Sequence, residues 1–294
     1  MHENYVGFIG LGAMGEPMAR NLIKAGVPLV VCDLDPIKCQ IFETLGARIV
    51  QTPAEVARHA KTIICLVETT AQTRSVITGP SGIMDIASAG HYVSCMSTIA
   101  PKEVQRLAEE LESRGVGFVD APISGGTEGA SAGTLTIFAA GSQKSLSVFE
   151  HVFSIVGSNV FELGDAGQGT AAKLINNMLF QVNTVAVAEA LTLAAAAGIA
   201  PQMLYDMVKV STGYSVAFEM RAPRMIARNF EPGGKIDISY KDQELQTSMA
   251  KELGVPILLA PITQQIYQMG SNLGHGREDG SAVIKVYEAM GKHD

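Results

Sequence analysis

Basic charge is in short supply. The 294 residues carry 22 Lys and Arg against 29 Asp and Glu, a formal net charge of −7. A chain of that sign repels nucleic acid and anionic lipid, so neither is expected as a partner. An anionic small molecule must instead be caught locally, by backbone N–H groups or single lysines. Cysteine is sparse too: Cys32, Cys39, Cys65 and Cys95 form no C-x-x-C pair. They read as reduced, buried small residues of a cytoplasmic protein. The six histidines stand singly, without H-E-x-x-H or similar spacing, so no metal is expected. No basic region precedes the first apolar run, Tyr5 to Leu11, as a targeting segment would require. The most apolar later stretch, Val182 to Ala200, holds Asn183, Thr184, Glu189 and Thr192. A central Glu disfavours a membrane span, and the stretch is expected to be a helix buried within the protein. Internal repeats and low-complexity linkers are lacking as well.

Apolar residues are plentiful at 47%, with 17% charged, which supplies a core large enough for one large domain or two ordinary ones. The first half alternates strand and helix signals. Val6 to Ile9, Leu29 to Cys32, Thr62 to Val67 and His91 to Cys95 are apolar strand-like runs. Helical spacing separates them at Glu16 to Ala25, Pro36 to Leu45 and Pro101 to Gly115, and Phe118-Val119 and Leu135 to Phe138 add strands. Strands apolar throughout, with helices between, predict a parallel sheet covered on both faces. From Gly167 the strand signals stop. Thr170 to Ala197 reads as one very long Ala-rich helix, followed by helices at Pro201 to Val210, Tyr240 to Leu253 and Pro261 to Leu273. The expected fold is an α/β Rossmann domain over 1–165, then an all-α domain over 166–294, joined by the long helix.

Three motifs carry chemistry. The turn Gly10-Leu11-Gly12-Ala13-Met14-Gly15 lies between strand one and helix one. Its first glycine allows a tight turn, its second lets the backbone approach a pyrophosphate, and its third permits close helix–strand packing. About 20 residues on, Asp33 closes strand two, as a ribose-binding carboxylate does in a dinucleotide site. A carboxylate there accepts from ribose hydroxyls and repels a 2′-phosphate, and Asp33-Leu34-Asp35 contains no basic residue. The expected cofactor is therefore NAD, with Asp33 and Leu34 on its adenosine side. A helix cap before Pro36 is the competing role for Asp33. The second motif, Asp120-Ala121-Pro122-Ile123-Ser124-Gly125-Gly126-Thr127, exposes backbone N–H groups and a hydroxyl suited to a carboxylate, although such turns are often purely structural. In the third, Gly169, Lys173 and Asn177 recur every four residues along one helix face. Here the glycine is expected to leave space for a ligand and the lysine and asparagine to point into it. A lone helical lysine usually faces solvent; the alanine-rich surroundings argue otherwise.

These motifs, with Ser97-Thr98 and Lys241-Asp242, occur in an order that resembles the β-hydroxyacid dehydrogenase family, over residues 5 to 288. The resemblance implies hydride transfer between NAD and the β-hydroxyl, or semialdehyde, of a small carboxylate of the 3-hydroxyisobutyrate or 2-(hydroxymethyl)glutarate type. A tartronate-semialdehyde or glyoxylate-type reductase is the alternative, and a non-catalytic dinucleotide-binding scaffold a competitor of another class. It implies that Lys173 is the catalytic acid/base and that Asn177 holds the substrate hydroxyl. Ser124, Gly125 and Gly126 would anchor the carboxylate; Leu66, Val67 and Thr98 would line the nicotinamide ribose; Lys241 would close over the cofactor. A decarboxylating dehydrogenase of the 6-phosphogluconate type is disfavoured by chain length and by the run Lys173 to Met178, and an imine reductase by the lysine itself. The sequence departs from the family at Tyr214, Gly234 and Gln243, and Gly234 and Tyr214 point to a reshaped pocket that admits a longer or more polar substrate tail. The exposed apolar potential of the long helix suggests a homodimer or homotetramer.

Overall fold

The structure is a computed structural model and describes residues 5–291. Contacts divide the chain into two compact units, one ending at Lys173 and one beginning at Leu174. The first opens with β1 (Tyr5–Ile9), α1 (Gly15–Lys24), β2 (Leu29–Cys32), α2 (Pro36–Thr44), β3 (Arg48–Ile49) and α3 (Pro53–His59). It continues with β4 (Ala60–Cys65), α4 (Thr70–Thr78), β5 (Tyr92–Cys95), α5 (Pro101–Glu112) and β6 (Gly117–Asp120). Then come β7 (Ile123–Ser124), α6 (Gly126–Ala132), β8 (Leu135–Gly141), α7 (Gln143–Val156), β9 (Gly157–Leu163) and the start of α8 (Gln168–Ala196).

The strands form one sheet in the order β3-β2-β1-β4-β5-β6-β8-β7, with β9 on β8. From β1 the chain builds outward to β2 and β3, then returns to the other side of β1 for β4, β5 and β6. That reversal leaves a crevice at the carboxyl ends of β1 and β4, where ligands of open α/β sheets bind. Phe8, Val31 and Ile64 belong to one core, while Ile9, Val30, Ile63 and Val93 belong to the other. Side chains alternate across a strand, so burial of both sets is why these strands are apolar at every position. Met18 and Leu22 of α1 and Phe149 and Val152 of α7 cover the first core; Val56 of α3 and Val104, Leu107 and Leu111 of α5 cover the second.

The sheet is not wholly parallel, as the apolar runs had suggested: β8 runs antiparallel to both β6 and β7. The link from β6 to β8 is only the short β7 and the seven-residue α6, and the chain returns along β8 in the opposite sense. All four cysteines are free and buried, and burial pushes the Cys32 and Cys65 thiols up to about 12, which leaves them inert core residues.

The second unit holds the rest of α8, then α9 (Pro201–Lys209), α10 (Val216–Ile226), α11 (Ile236–Leu253), α12 (Leu259–Gly270) and α13 (Ile284–Met290). Val185, Leu191, Phe218, Met225, Tyr267 and Val283 form its core. A buried charge cluster sits beside it. The Asp279 carboxylate pairs with Arg221 and accepts from the backbone N–H of Gly234 (3.1 Å) and Ser281 (2.9 Å). Gly234, one departure from the family pattern, thus has its N–H committed to this cluster. The expectation of a fully buried Val182 to Ala200 stretch is not met, since Leu193 is 72% exposed. One face of α8 packs and the other does not.

Candidate active site

The glycine turn closes β1 and opens α1. Gly10 has φ +100°, and a Cβ there would lie 2.1 Å from the carbonyl oxygen of Leu66. Gly15 is equally constrained, because a Cβ would meet the Gly10 carbonyl oxygen at 2.0 Å. Gly12 is different: nothing lies within 4 Å of a Cβ at that position. Two glycines therefore permit the turn to form, and the middle one, with exposed Ala13 beside it, leaves open backbone that a pyrophosphate can approach at the start of a helix. Leu11 faces the other way: its side chain is buried in the core and its N–H donates to Asp33 Oδ2 at 2.6 Å.

Asp33 is held on both oxygens, since the Asp35 N–H donates to Oδ1 at 2.8 Å. The competing role as a helix cap falls to Asp35, whose carboxylate accepts from the Ile37 N–H at 3.0 Å. Asp33 is thereby free for another task beside the turn. Leu34 next to it is 96% exposed, an apolar surface with no partner of its own in the core. Sequence reading missed Lys38, whose ammonium stands 4.0 Å from Asp33 Oδ1. On the neighbouring strand, the Leu66 N–H donates to the Ile9 carbonyl and the Val67 N–H to Ser97 Oγ, at 2.9 and 2.8 Å. Buried Ser97 thus ties the loop after β4 to the loop after β5, where half-buried Thr98 follows. These features fit a dinucleotide: an open glycine, an oriented carboxylate and two loops fixed to each other at the strand ends.

The second motif starts at Asp120, the last residue of β6, and it is fully buried. Its Oδ2 accepts from the N–H of Gly167 (3.0 Å) and Thr170 (2.8 Å), and its Oδ1 from the Thr170 hydroxyl (2.6 Å). Burial pushes the carboxyl up to about 6, opposed by these donors, so it is mostly ionised at neutral pH. Four residues on, Ser124 ends β7, and Gly125 at φ +134° turns the chain into α6 at Gly126.

The third motif lies on α8. Gly169 does not leave space for a ligand, contrary to the sequence reading. A Cβ there would fall 2.4 Å from the Phe138 carbonyl oxygen and 2.7 Å from that of Asp120. The glycine lets the first turn of α8 lie flush against the sheet. Lys173 follows one turn later and is only 8% exposed, so it is not a solvated surface lysine. Asn177, four residues further along α8, donates from Nδ2 to Asp242 Oδ2 at 2.8 Å. A carboxylate only accepts, so this bond fixes the amide and turns Asn177 Oδ1 away from Asp242. Buried Asp242 also lies 3.2 Å from the ammonium of Lys241. Gln243 is fully buried; its Nε2 donates to Thr263 Oγ1 of α12 at 2.9 Å, while its Oε1 has no hydrogen-bond partner among the described residues. Tyr214 is exposed and donates its hydroxyl to Glu219.

Comparison with known proteins covers both units. Residues 5–164 match the model of the NAD binding domain of 6-phosphogluconate dehydrogenase. Residues 167–287 match the model described as NAD-binding of NADP-dependent 3-hydroxyisobutyrate dehydrogenase. The chain is 36% identical over 286 residues to 2-(hydroxymethyl)glutarate dehydrogenase of Eubacterium barkeri, covering 97% of this chain and 95% of that one. It is 35% identical over 286 residues to L-threonate dehydrogenase of Cupriavidus necator, covering 97% and 96%. Among solved structures, 3-hydroxyisobutyrate dehydrogenase from Salmonella typhimurium superposes with a TM-score of 0.87 at 35% identity, covering 96% of this chain and 99% of that one.

Proposed function

The chain belongs to the β-hydroxyacid dehydrogenase family, and from that premise we propose that it interconverts a small β-hydroxy carboxylate and its semialdehyde with NAD(H). It is an oxidoreductase that uses a nicotinamide dinucleotide. The observation that carries the finer reading is Lys173, an amine held 8% exposed on an apolar helix. When bound, the nicotinamide accepts or returns the hydride. Lys173 takes the proton from the substrate hydroxyl in oxidation and gives it back in reduction. Asn177, its amide fixed by Asp242, holds that hydroxyl in register. Ser124 and the N–H groups of Gly125 and Gly126 anchor the carboxylate. The turn Gly10 to Gly15 would hold the pyrophosphate, Asp33 and Leu34 the adenosine, and Leu66, Val67 and Thr98 the nicotinamide ribose; covering the cofactor is the role that the family resemblance gives Lys241.

Two relatives act, by their names, on substrates larger or more polar than 3-hydroxyisobutyrate. These relatives support a substrate with a longer or more polar tail, of the 2-(hydroxymethyl)glutarate type. A panel of 2-(hydroxymethyl)glutarate, L-threonate, 3-hydroxyisobutyrate and tartronate semialdehyde, followed by NADH absorbance, tests this. The long-tailed acid is expected to give the highest kcat/KM. A clear preference for 3-hydroxyisobutyrate would overturn the substrate reading, and NADH binding without turnover on any compound would favour the non-catalytic scaffold.

The chain is also proposed to act as a homodimer or homotetramer. Leu253, Val255, Leu258, Leu259 and Ile262 are all exposed within one short stretch, as is Leu193 on α8. Such a concentration of apolar surface is normally covered by a partner. Sedimentation equilibrium at micromolar concentration should give a multiple of the 31.1 kDa chain mass, and a monomer would remove the proposal.

A further inference from the structure

We propose that Asp120 is a positioning residue for the reaction: its buried carboxylate fixes the first turn of α8, and with it Lys173, to the chain segment that carries Ser124, Gly125 and Gly126. This rests on the assignment of Lys173 as the acid/base.

The geometry on the sheet side is rigid. Asp120 is paired on both edges, with Cys95 of β5 and Ala140 of β8. Beyond it, the Ala121 N–H donates to the Cys95 carbonyl at 2.8 Å, and the Phe138 N–H to the Pro122 carbonyl at 3.0 Å. Ile123 and Ser124 then pair with Ile137 and Thr136. From Asp120 to Ser124 the path is therefore held to neighbouring strands almost residue by residue.

On the helix side, the N–H groups of the first turn have no partner within the helix. Asp120 takes up those of Gly167 and Thr170 and the Thr170 hydroxyl besides. A negative charge is the favoured occupant of a helix N-terminus. Gly169 brings the turn within reach, since its Cα carries no Cβ to strike the Asp120 and Phe138 carbonyls. Lys173 comes three residues after Thr170, within one further turn. One carboxylate thus joins the two segments that bear the proposed proton donor and the proposed carboxylate anchor, from positions 50 residues apart. A general acid displaced by about 1 Å can lose about 10²-fold in rate with no change in its own chemistry.

The test is steady-state kinetics on the full-length enzyme carrying Asp120→Ala, Asp120→Asn or Thr170→Val. Asp120→Ala should lower kcat by about 10²-fold while the KM for NADH stays within about threefold. Asp120→Asn should recover at least about tenfold of that loss, because its amide oxygen can accept from the backbone and its NH₂ can donate to the Thr170 hydroxyl. Thr170→Val should reduce kcat several-fold at unchanged KM for NADH. A merely structural role would lower the melting temperature and leave kcat per folded molecule alone. Folded Asp120→Ala with kcat within about threefold of wild type overturns the inference. Should Asp120→Ala fail to fold, an unchanged kcat in Thr170→Val does the same. A parallel Lys173→Ala variant separates the two claims: if it stays active, the acid/base assignment is at fault, and if it is dead while Asp120→Ala is not, only the positioning role is.

Discussion

Lys173→Ala is expected to lower kcat by at least about 10²-fold, within the range of about 10² to 10⁴ that a positioned general acid or base contributes. NADH binding should survive, because the glycine turn lies between β1 and α1 and Asp33 directly after β2, and they share no hydrogen bond with α8 among those described. Lys173 is 8% exposed, so alanine leaves a void as well as removing an amine. Lys173→Met restores the volume without the proton and should lose as much. Lys173→Arg keeps a positive charge but cannot release its proton at neutral pH, so it should also be inactive. Fluorescence titration with NADH and stopped-flow turnover read the two properties apart. More than about a tenth of wild-type kcat in both the alanine and methionine variants would refute the assignment.

The parts of this site that could be read from sequence are those whose physics is local. Gly10, Gly12 and Gly15 act within one turn, and their spacing already says which position stays open. Asp33 ends an apolar strand at a set distance from that turn, so its side of the sheet is fixed by alternation. Lys173 stands out because a cation in an alanine-rich helix is unusual. What could not be read depends on contacts far apart in the chain. Gly169 looked like room for a ligand, yet its missing Cβ is filled by the carbonyls of Phe138 and Asp120, some 30 and 50 residues away. Asp120 carried no site role until α8 was seen to start on it. Asn177 was legible, but Asp242, which sets its amide, comes 65 residues later. In the fold, α3 had a readable start in Thr52, Pro53 and Glu55, which form a capping box, but it spans only seven residues and shows no clear apolar stripe. The edge strand β9 was hidden for another reason: most of it is exposed and it lacks the continuous apolar run of the buried strands.

Asp33→Ser is expected to invert the cofactor preference. In the wild type the carboxylate is held by the Leu11 and Asp35 N–H groups with its remaining acceptor capacity beside the open Gly12. Hydrogen bonds to a charged group contribute about 1.5–3 kcal/mol, so loss of those to the ribose hydroxyls should cost about 10- to 100-fold in kcat/KM for NADH. The same substitution removes the repulsion against a 2′-phosphate. It also leaves the Lys38 ammonium, now 4.0 Å from Asp33 Oδ1, without its counter-charge. That lysine is why the gain for NADPH should exceed what removal of a negative charge alone would give. The double variant Asp33→Ser with Lys38→Ala isolates this effect: NADH should remain poor and the NADPH gain should fall back. The comparison is of kcat/KM ratios for the two reductants at low ionic strength, where exposed charges are least screened. A wild-type enzyme already faster with NADPH would refute the reading of Asp33 outright. A ratio that moves less than about threefold in Asp33→Ser would show that discrimination is made elsewhere on the adenosine side.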